Sequence, residues 1–262
     1  MKQIASRQNP LVARCRAVAR NEMRALMLLD GAHLVGEAIA AGAKIVSAVV
    51  LSSQTSRPEI AAIVDRLEES GVPVASATSA VMAAVSPVRS TSAIVALAAR
   101  PDRKGADIFK DAAGMVVVAC GVQDPGNVGA IVRVAEASGA AAMVASDGSA
   151  DPFGWKALRG SMGSALRLPV VVEPEPRTTI ADAVRHGYRI VAAAPRGGQS
   201  LFDVDLRGPI AVLVGGEGAG LADALVTAAD VQLTIPMAAP VESLNTAVTA
   251  ALILYEGWRQ RR

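Results

Sequence analysis

The chain has 262 residues, of which 52% are hydrophobic and 19% charged, so it can bury a core and does not have the composition of a disordered protein. No apolar run reaches the ~18 residues that a membrane-spanning helix needs, and scattered arginines occupy the start of the chain, where a secretory signal needs an apolar stretch. Two distant cysteines give neither a disulfide framework nor a metal-ligand spacing. These features predict a cytoplasmic protein without a membrane segment or a metal site.

The net charge is only +2, but basic residues are concentrated at the start of the chain. Among the first 24 residues Glu22 is the single acidic one, and the basic ones are Lys2, Arg7, Arg14, Arg16, Arg20 and Arg24. Such a local excess favours a polyanionic partner, and RNA contacts are predicted at Arg7, Arg14, Arg16 and Arg20. The alternative interpretation is a solvated helix face.

The first hundred residues predict a small α/β unit. Asn9-Pro10 marks a turn, and apolar residues at helical spacing follow to about Leu29. Further helices are predicted at 33–41, 58–70 and 79–84, and strands at 45–51, 72–75 and 91–98. Residues 101–105 are charged and contain both proline and glycine, so we predict a linker at 101–112 between domains at 1–100 and 113–262.

The second half alternates strands with helices. Strands are predicted at 115–119, 141–145, 170–172, 190–194, 210–214 and 231–235, and a final long helix at 243–258. Alternation of this kind predicts a largely parallel sheet that is covered by helices on both faces.

The first of these strands leads into Cys-Gly-Val-Gln-Asp-Pro-Gly-Asn-Val-Gly at 120–129. The glycine fingerprint of dinucleotide-binding turns is absent, and Pro125 stands where that tight turn would lie. Asn127 is predicted to be the N-cap of a helix at 128–138, with Arg133 about two turns inside it.

Two more segments have an unusual composition. Residues 213–221 place four glycines around Glu217 directly after a buried strand, which lets the backbone approach a ligand closely. Ile235-Pro236-Met237 ends the last strand, and Ser243-Leu244-Asn245 opens the final helix. Ser243 is a possible N-cap, and Asn245 is an unexpected polar residue at the start of an apolar helix.

Together the three segments resemble the SpoU/TrmH family of RNA ribose methyltransferases, within the SPOUT superfamily. The family patterns N-x-G-x-x-x-R, G-x-E-x-x-G-[LM] and I-P-M…S-L-N occur here in the same order and spacing. Many members carry Asn just before the glutamate, where this chain has Gly216. The segments at 6–10 and 30–35 are similar to the family's ribosomal-protein-like RNA-binding domain. The resemblance implies a small N-terminal α/β RNA-binding domain and a C-terminal trefoil-knotted, largely parallel α/β methyltransferase domain.

The resemblance also implies S-adenosylmethionine as cofactor and a ribose 2′-hydroxyl as methyl acceptor, with ribosomal RNA favoured over transfer RNA as partner. It further implies a homodimer in which the second subunit completes the active site. The family's catalytic residues correspond to Asn127, Arg133, Glu217, Ser243 and Asn245. Its cofactor-binding residues correspond to Gly215, Ile235, Met237 and Leu244.

Arginine stays protonated near neutral pH, so we predict that Arg133 positions the ribose and its phosphate instead of acting as a base. Glu217 is predicted to hold Arg133 and Asn127 in place. Two other functions remain open at this point. One is a non-catalytic RNA-binding or assembly factor on the same fold, and the other is a nicotinamide-dependent oxidoreductase.

Overall fold

The computed structural model describes residues 1–88, 90–103, 107–110, 114–146, 148–173 and 175–262. The chain forms two compact units. One consists of Met1–Pro101 and Phe153–Leu166, and the other of Asp102–Pro152 and Arg167–Arg262. The segment Phe153–Leu166 therefore packs with the first unit, although the sequence analysis placed it in the domain at 113–262.

The first unit contains a mixed five-stranded sheet in the order β1-β4-β3-β5-β2. Strand β4 is parallel to both its neighbours, whereas β5 is antiparallel to β2 and β3. The strands are β1 (Lys2–Ile4), β2 (Leu26–Asp30), β3 (Ile45–Leu51), β4 (Val74–Ala77) and β5 (Ile94–Ala99). The helices before β5 are α1 (Pro10–Ala19), α2 (Ala32–Ala40), α3 (Pro58–Glu69) and α4 (Ser79–Val85).

The predicted helix from Pro10 to about Leu29 is wrong in its second half. Helix α1 starts as expected, with the Asn9 side chain accepting a hydrogen bond from the Leu11 amide, but it ends at Ala19. Every residue of β2 is buried. A short apolar run buried on all sides has no alternation, so periodicity alone cannot distinguish such a strand from a buried helix. Strand β1 was not predicted either.

The second unit contains a seven-stranded sheet in the order β10-β12-β9-β11-β6-β7-β8, in which every neighbouring pair is parallel. Its strands are β6 (Met115–Cys120), β7 (Ala142–Ala145), β8 (Val170–Val172), β9 (Arg189–Ala193), β10 (Gln199–Ser200), β11 (Ile210–Gly215) and β12 (Val231–Thr234). Its helices are α5 (Asp107–Lys110), α6 (Pro125–Ala137), α9 (Pro176–Arg185), α10 (Asp223–Thr227) and α11 (Thr246–Gln260). The predicted parallel α/β architecture is confirmed. In the parts of the chain that the structure describes, no helix has the length and apolar character needed to cross a bilayer.

Part of the predicted linker at 101–112 is ordered. Residues 104–106 and 111–112 lie outside the described residues, but α5 lies between them, and its Ile108 and Phe109 are buried in the core of the second unit. Phe109 meets the ring of Tyr188 edge to face at 5.1 Å between ring centroids. This part of the predicted linker therefore belongs to a hydrophobic core.

The segment Phe153–Leu166 is anchored in the first unit by apolar and polar contacts. It contains α7 (Trp155–Ser161) and most of α8 (Ser164–Arg167), and Trp155 packs against that unit's hydrophobic core. Arg159 pairs with Asp30 at 3.5 Å, and the Asp30 side chain is fully buried. Asp30 also accepts a hydrogen bond from the Ser86 hydroxyl at 3.1 Å. A buried carboxylate needs such partners. Helix α7 is therefore held in the first unit both by the apolar packing of Trp155 and by the pairing of Arg159 with Asp30.

The order of strands in the second unit predicts where a ligand would bind. Strands β6 and β11 are neighbours at the centre of the sheet. After β6 the chain continues toward β7 on one side, and after β11 it continues toward β12 on the other. The chain therefore leaves β6 and β11 toward opposite edges of the sheet, and ligand sites of open parallel sheets usually lie near such a change of direction, at the carboxyl ends of the strands.

Candidate active site at the carboxyl ends of the central strands

A cavity of about 650 Å³ lies at the carboxyl ends of β9, β11 and β12. This volume is in the usual range for a small-molecule site. The cavity brings together seven residues that the sequence analysis selected, which are Gly215, Glu217, Ile235, Met237, Ser243, Leu244 and Asn245. Apolar side chains, the glycine-rich loop and a few polar groups share its wall, which suits a cofactor with an aromatic base and a polar end.

A chain of hydrogen bonds runs along one side of this cavity. The Asn127 side-chain amide donates to Glu217 Oε1 at 2.5 Å, and the Asn245 amide donates to Asn127 Oδ1 at 3.1 Å. The backbone amide of Gln123 donates to the other carboxylate oxygen of Glu217 at 3.1 Å. Residues from the loop after β11, from α6 and from the start of α11 are thereby joined in one polar cluster.

Asn245 is the N-cap of α11. Its Oδ1 accepts hydrogen bonds from the backbone amides of Ala247 at 2.9 Å and Val248 at 3.3 Å. This satisfies two of the amides that a helix start leaves without partners. Ser243, the residue suggested as a possible N-cap, instead lies exposed on the cavity wall. The cap also fixes the orientation of the Asn245 amide, because an oxygen bound to α11 leaves the nitrogen facing Asn127.

The prediction that Asn127 is an N-cap is wrong, since α6 begins three residues earlier than expected. Asp124 is the cap, and its Oδ1 accepts from the backbone amides of Gly126 at 2.6 Å and Asn127 at 3.1 Å. Pro125 occupies the first helical position, where its missing N–H costs nothing. Asn127 therefore lies in the first turn of α6, and its side chain is free to reach Glu217.

Two glycines of the 213–221 segment are required by close contacts between backbones. A Cβ on Gly215 would overlap the Gly220 carbonyl group, and a Cβ on Gly216 would overlap the Gly121 carbonyl oxygen. Gly218 and Gly220 differ, because they have φ values of +85° and +66° with open space around them. The first pair lets backbone segments pass each other at the site, and the second pair lets the loop turn beside the cavity.

The same contact requires glycine at position 216, where the resemblance would often place an asparagine. As the backbone lies here, the Gly121 carbonyl leaves no space for any side chain at position 216. The Gly121 carbonyl precedes the Gln123 amide that binds Glu217, so this close approach helps to place the carboxylate.

Glu217 is held as a carboxylate. Burial pushes its pKa upward, but hydrogen bonds from Asn127, from its own backbone amide and from the Gln123 amide outweigh burial, so the pKa lies below its ordinary value. Burial raises the pKa of nearby Cys120, at the end of β6, to about 11. Near neutral pH Glu217 is therefore ionised, with each carboxylate oxygen accepting a hydrogen bond, and the buried Cys120 thiol is protonated.

Arg133 does not join this cluster. It lies on the exposed side of α6, and its guanidinium makes no hydrogen bond or ion pair with the residues that the structure describes. Arg133 follows Asn127 by six positions, which places the two side chains about 120° apart around a helix that turns 100° per residue. Within this chain Glu217 therefore holds Asn127 but not Arg133, contrary to our prediction.

The basic residues near the start of the chain separate into two groups. Arg7, Arg16 and Arg20 line a groove between α1 and the end of α4. Arg14 is partly buried and does not line it. Arg20 is partly neutralised by Glu22, at 2.7 Å.

Sequence reasoning missed three contributors to the site. The Asp124 cap was signalled by the Asp-Pro pair that often opens a helix. Thr246 is mostly buried, and its hydroxyl donates to the Gly215 carbonyl at 2.7 Å, but no sequence signal marks it. Arg196 reaches the cavity from the loop after β9, outside all three motifs. Within the described residues, no group of three or more metal-ligating side chains is close enough to hold a metal ion.

Two family models match the chain. The SpoU rRNA methylase family matches residues 114–255, and the thiostrepton-resistance methylase N terminus matches residues 1–112. The chain is 31% identical over 258 residues to the 23S rRNA (guanosine(2553)-2'-O)-methyltransferase RlmP of Bacillus subtilis, covering 97% of this chain and 98% of that protein. It is 39% identical over 142 residues to the 23S rRNA (uridine(2479)-2'-O)-methyltransferase of Streptomyces viridochromogenes, covering 52% of this chain and 50% of that one.

Solved structures give the same result over nearly the whole chain. An AdoMet-bound rRNA methyltransferase from Sinorhizobium meliloti superimposes with a TM-score of 0.87 at 27% identity, covering 98% of this chain and 97% of that one. The SpoU methyltransferase AviRb from Streptomyces viridochromogenes, in complex with AdoMet, gives 0.84 at 26% identity, with 97% and 98% covered. These matches confirm the prediction made from the three motifs: the chain belongs to the SpoU rRNA methylase family.

Proposed function

We propose that this protein transfers the methyl group of S-adenosylmethionine to a ribose 2′-hydroxyl of ribosomal RNA in the cytoplasm. The observation that carries the proposal is the chain of hydrogen bonds from α11 through Asn245 and Asn127 to Glu217, on the wall of a cavity of cofactor size. Its relatives are named as ribosomal RNA 2'-O-methyltransferases, and two structural neighbours hold AdoMet.

The cavity suits this cofactor in shape and chemistry. Ile235, Met237 and Leu244 supply apolar surface for the adenine, and the loop that begins at Gly215 supplies backbone groups beside it. When bound, S-adenosylmethionine supplies a methyl group that is already activated for transfer. The protein's own task is therefore to align the acceptor hydroxyl and to provide for its proton, and alignment alone contributes several kcal/mol in such reactions.

We assign the alignment to Arg133, Ser243 and Asn245. The Arg133 guanidinium is uncommitted among the described residues, and its fork of donors matches a phosphate group. Asn245 retains one amide hydrogen after donating to Asn127, and the Ser243 hydroxyl is exposed on the cavity wall. Glu217 orients Asn127, because its Oε1 accepts a hydrogen bond from the Asn127 side-chain amide. The hydroxyl proton then passes to a phosphate oxygen of the RNA or to water.

A homodimer would complete this site. Helix α11 exposes Val248, Leu252 and Tyr255 at helical spacing, with 47%, 41% and 45% of each residue exposed. Helix α6, which carries Arg133, packs beside α11. We propose that a second copy covers this apolar face and that Arg133 acts together with residues of the partner subunit, since it does not reach Glu217 of its own chain.

We also propose that the C-terminal part of the chain forms a trefoil knot. After β12, the second strand from the edge of the sheet, the chain returns to the centre of the sheet. There α11 packs against α6, and the Thr246 hydroxyl donates a hydrogen bond to the Gly215 carbonyl. The backbone approaches at Gly215 and Gly216 are those expected where one segment passes close to another. Knots are rare in protein folds. The test of this proposal is therefore whether the C-terminal segment of the chain passes through the loop that follows β11.

RNA binding is proposed for the groove lined by Arg7, Arg16 and Arg20. These side chains add positive charge along one face, as phosphate binding requires. Arg14 belonged to the same prediction, but it is partly buried and does not line the groove, so it is left out of the proposed RNA contact.

The test is transfer of labelled methyl groups from S-adenosylmethionine to 23S ribosomal RNA, followed by mapping of 2′-O-methylated nucleotides. Calorimetry is expected to show binding of S-adenosylhomocysteine and no binding of NAD. Arg133→Lys keeps the charge but loses the planar fork, so turnover should be abolished while cofactor affinity changes only a few-fold. Arg177→Lys, at an exposed position of α9, is the matched control and should be neutral. Binding of NAD without a response to S-adenosylhomocysteine would refute the proposal.

A further inference from the structure

One cationic group on the cavity wall has no part in the function derived so far. Among the described residues that line the cavity, Arg196 is the only one with a cationic side chain. It lies in the loop after β9, next to Pro195, and pairs with Glu242 at 2.6 Å. Glu242 directly precedes Ser243, so this ion pair joins two of the segments that surround the cavity.

The ion pair is arranged so that a ligand can replace it. The side chains of Arg196 and Glu242 are 70% and 76% exposed, and ion pairs this exposed contribute little to stability. A carboxylate that enters the cavity can therefore compete with Glu242 for the guanidinium at small cost. The guanidinium fork binds carboxylates through two parallel hydrogen bonds, which gives direction as well as affinity.

Resting on the proposed function, we infer that Arg196 binds the carboxylate at the amino-acid end of S-adenosylmethionine. The cofactor has an adenine at one end and a zwitterionic amino acid at the other. Apolar Ile235 and Leu244 suit the adenine, and Arg196 is the cationic group, among the described residues of the cavity, that suits the carboxylate. Glu242 holds the guanidinium at the mouth of the cavity and releases it when the carboxylate binds.

The inference separates Arg196 from the RNA-binding arginines. Arg7, Arg16 and Arg20 line a groove of the other unit, whereas Arg196 shares the cavity with the glycine-rich loop that starts at Gly215. Under the proposed function, the anion that enters this cavity is the carboxylate of the cofactor. Contact of Arg196 with an RNA phosphate is the competing assignment, and the experiment distinguishes the two.

Two nucleosides that differ in the amino-acid end provide the test. S-adenosylhomocysteine carries the carboxylate, and 5′-methylthioadenosine lacks the whole amino-acid part while keeping the adenosine and the sulfur. Calorimetry on the full-length protein is expected to show that Arg196→Gln weakens S-adenosylhomocysteine binding about tenfold, which is about 1.4 kcal/mol. Binding of 5′-methylthioadenosine is expected to change less than about twofold, since the lost contact is absent from that ligand. Arg177→Gln, an exposed arginine outside the cavity, is the matched control for both ligands.

Equal weakening of both nucleosides would show that Arg196 only shapes the wall and would overturn the inference. An unchanged affinity for both would overturn it too, and so would an effect confined to the KM for RNA. Failure of the wild-type protein to bind either nucleoside is a different result, because it would refute the proposed function itself.

Discussion

Replacing Asn245 with aspartate separates two roles that the structure gives to one side chain. Asn245 Oδ1 caps α11, and its amide nitrogen donates to Asn127 Oδ1 at 3.1 Å. Aspartate is as good an N-cap as asparagine, and its charge suits the positive end of the helix. It has no hydrogen to donate, however, so it faces Asn127 Oδ1 with a second acceptor. Asn245→Asp therefore keeps the cap and breaks the chain of hydrogen bonds.

The Asn127 amide cannot restore the chain by rotating. If it turned to donate to the new carboxylate at position 245, its own carbonyl oxygen would face Glu217 Oε1, which in the wild-type chain accepts from the Asn127 amide nitrogen at 2.5 Å. One repulsive contact between acceptors remains in either orientation. A net hydrogen bond contributes about 0.5–1.5 kcal/mol, and the added charge near Glu217 brings the expected loss to about 1–2 kcal/mol. If this loss appears in the transition state, kcat falls about 5- to 30-fold.

The assay pairs methyl transfer at saturating RNA and cofactor with thermal unfolding. Asn245→Ala is the comparison variant, because it removes both the cap and the donor. It is expected to destabilise the protein by about 1 kcal/mol and also to lower kcat. Asn245→Asp is expected to lower kcat, and any fall in its melting temperature is expected to come from the broken hydrogen bond, because the helix cap is kept. If Asn245→Asp turned over normally and only Asn245→Ala was impaired, the cap alone would matter, and the reasoning about the chain of hydrogen bonds would be refuted.

The remaining predictions concern the loop, the groove and pH. Gly216→Ala should lower the free energy of unfolding, measured by chemical denaturation, by about 2–3 kcal/mol, because the added Cβ would overlap a carbonyl oxygen. Gly218→Ala should lower it by only about 1 kcal/mol, because position 218 has open space around it and only a positive φ to accommodate. Arg16→Gln should reduce the slope of log affinity for RNA against log salt concentration by about 0.7–0.9, and Arg14→Gln should leave it unchanged. Because the pKa of Glu217 is lowered, its carboxylate stabilises the fold at pH values above the ordinary glutamate pKa. This contribution is lost only as the pH falls through the lowered pKa. A plot of kcat against pH should therefore show no Glu217 ionisation at or above the ordinary pKa of 4.5.

The parallel sheet of the second unit was predictable because its signals are local. Each buried strand is a short run of Val, Ala and Ile, and each lies between segments of helical periodicity. Strand β2 was predicted wrongly because its local signal is ambiguous. Its run Leu-Met-Leu-Leu-Asp is apolar without alternation, and what makes it a strand is pairing with β5, which lies more than sixty residues further along the chain. A long-range pairing of that kind leaves no trace in a local window.

The motifs identified the residues of the site more reliably than their roles. Asn127, Glu217 and Asn245 are indeed joined, but the sequence assigned the cap of α6 to Asn127 and left Asn245 inside its helix. The roles depend on where each helix begins, and a shift of two or three residues decides which side chain is a cap. The sequence also paired Arg133 with Glu217 because the family pattern contains both residues, in two separate motifs. Only the helical geometry shows that they diverge within one chain.

The segment Phe153–Leu166 shows a dependence on tertiary structure that no motif encodes. Its composition suits either half of the chain, and its place is decided by Trp155 in the core of the first unit and by the pairing of Arg159 with buried Asp30. Asp30 would be costly to bury alone, and its partners Ser86 and Arg159 come from distant parts of the sequence. The boundary between the units is therefore not a single point, because the chain leaves the second unit at Pro152 and re-enters it at Arg167. Cutting the chain near residue 113 would take Trp155 and Arg159 away from the first unit and leave the Asp30 carboxylate with one partner fewer in its core.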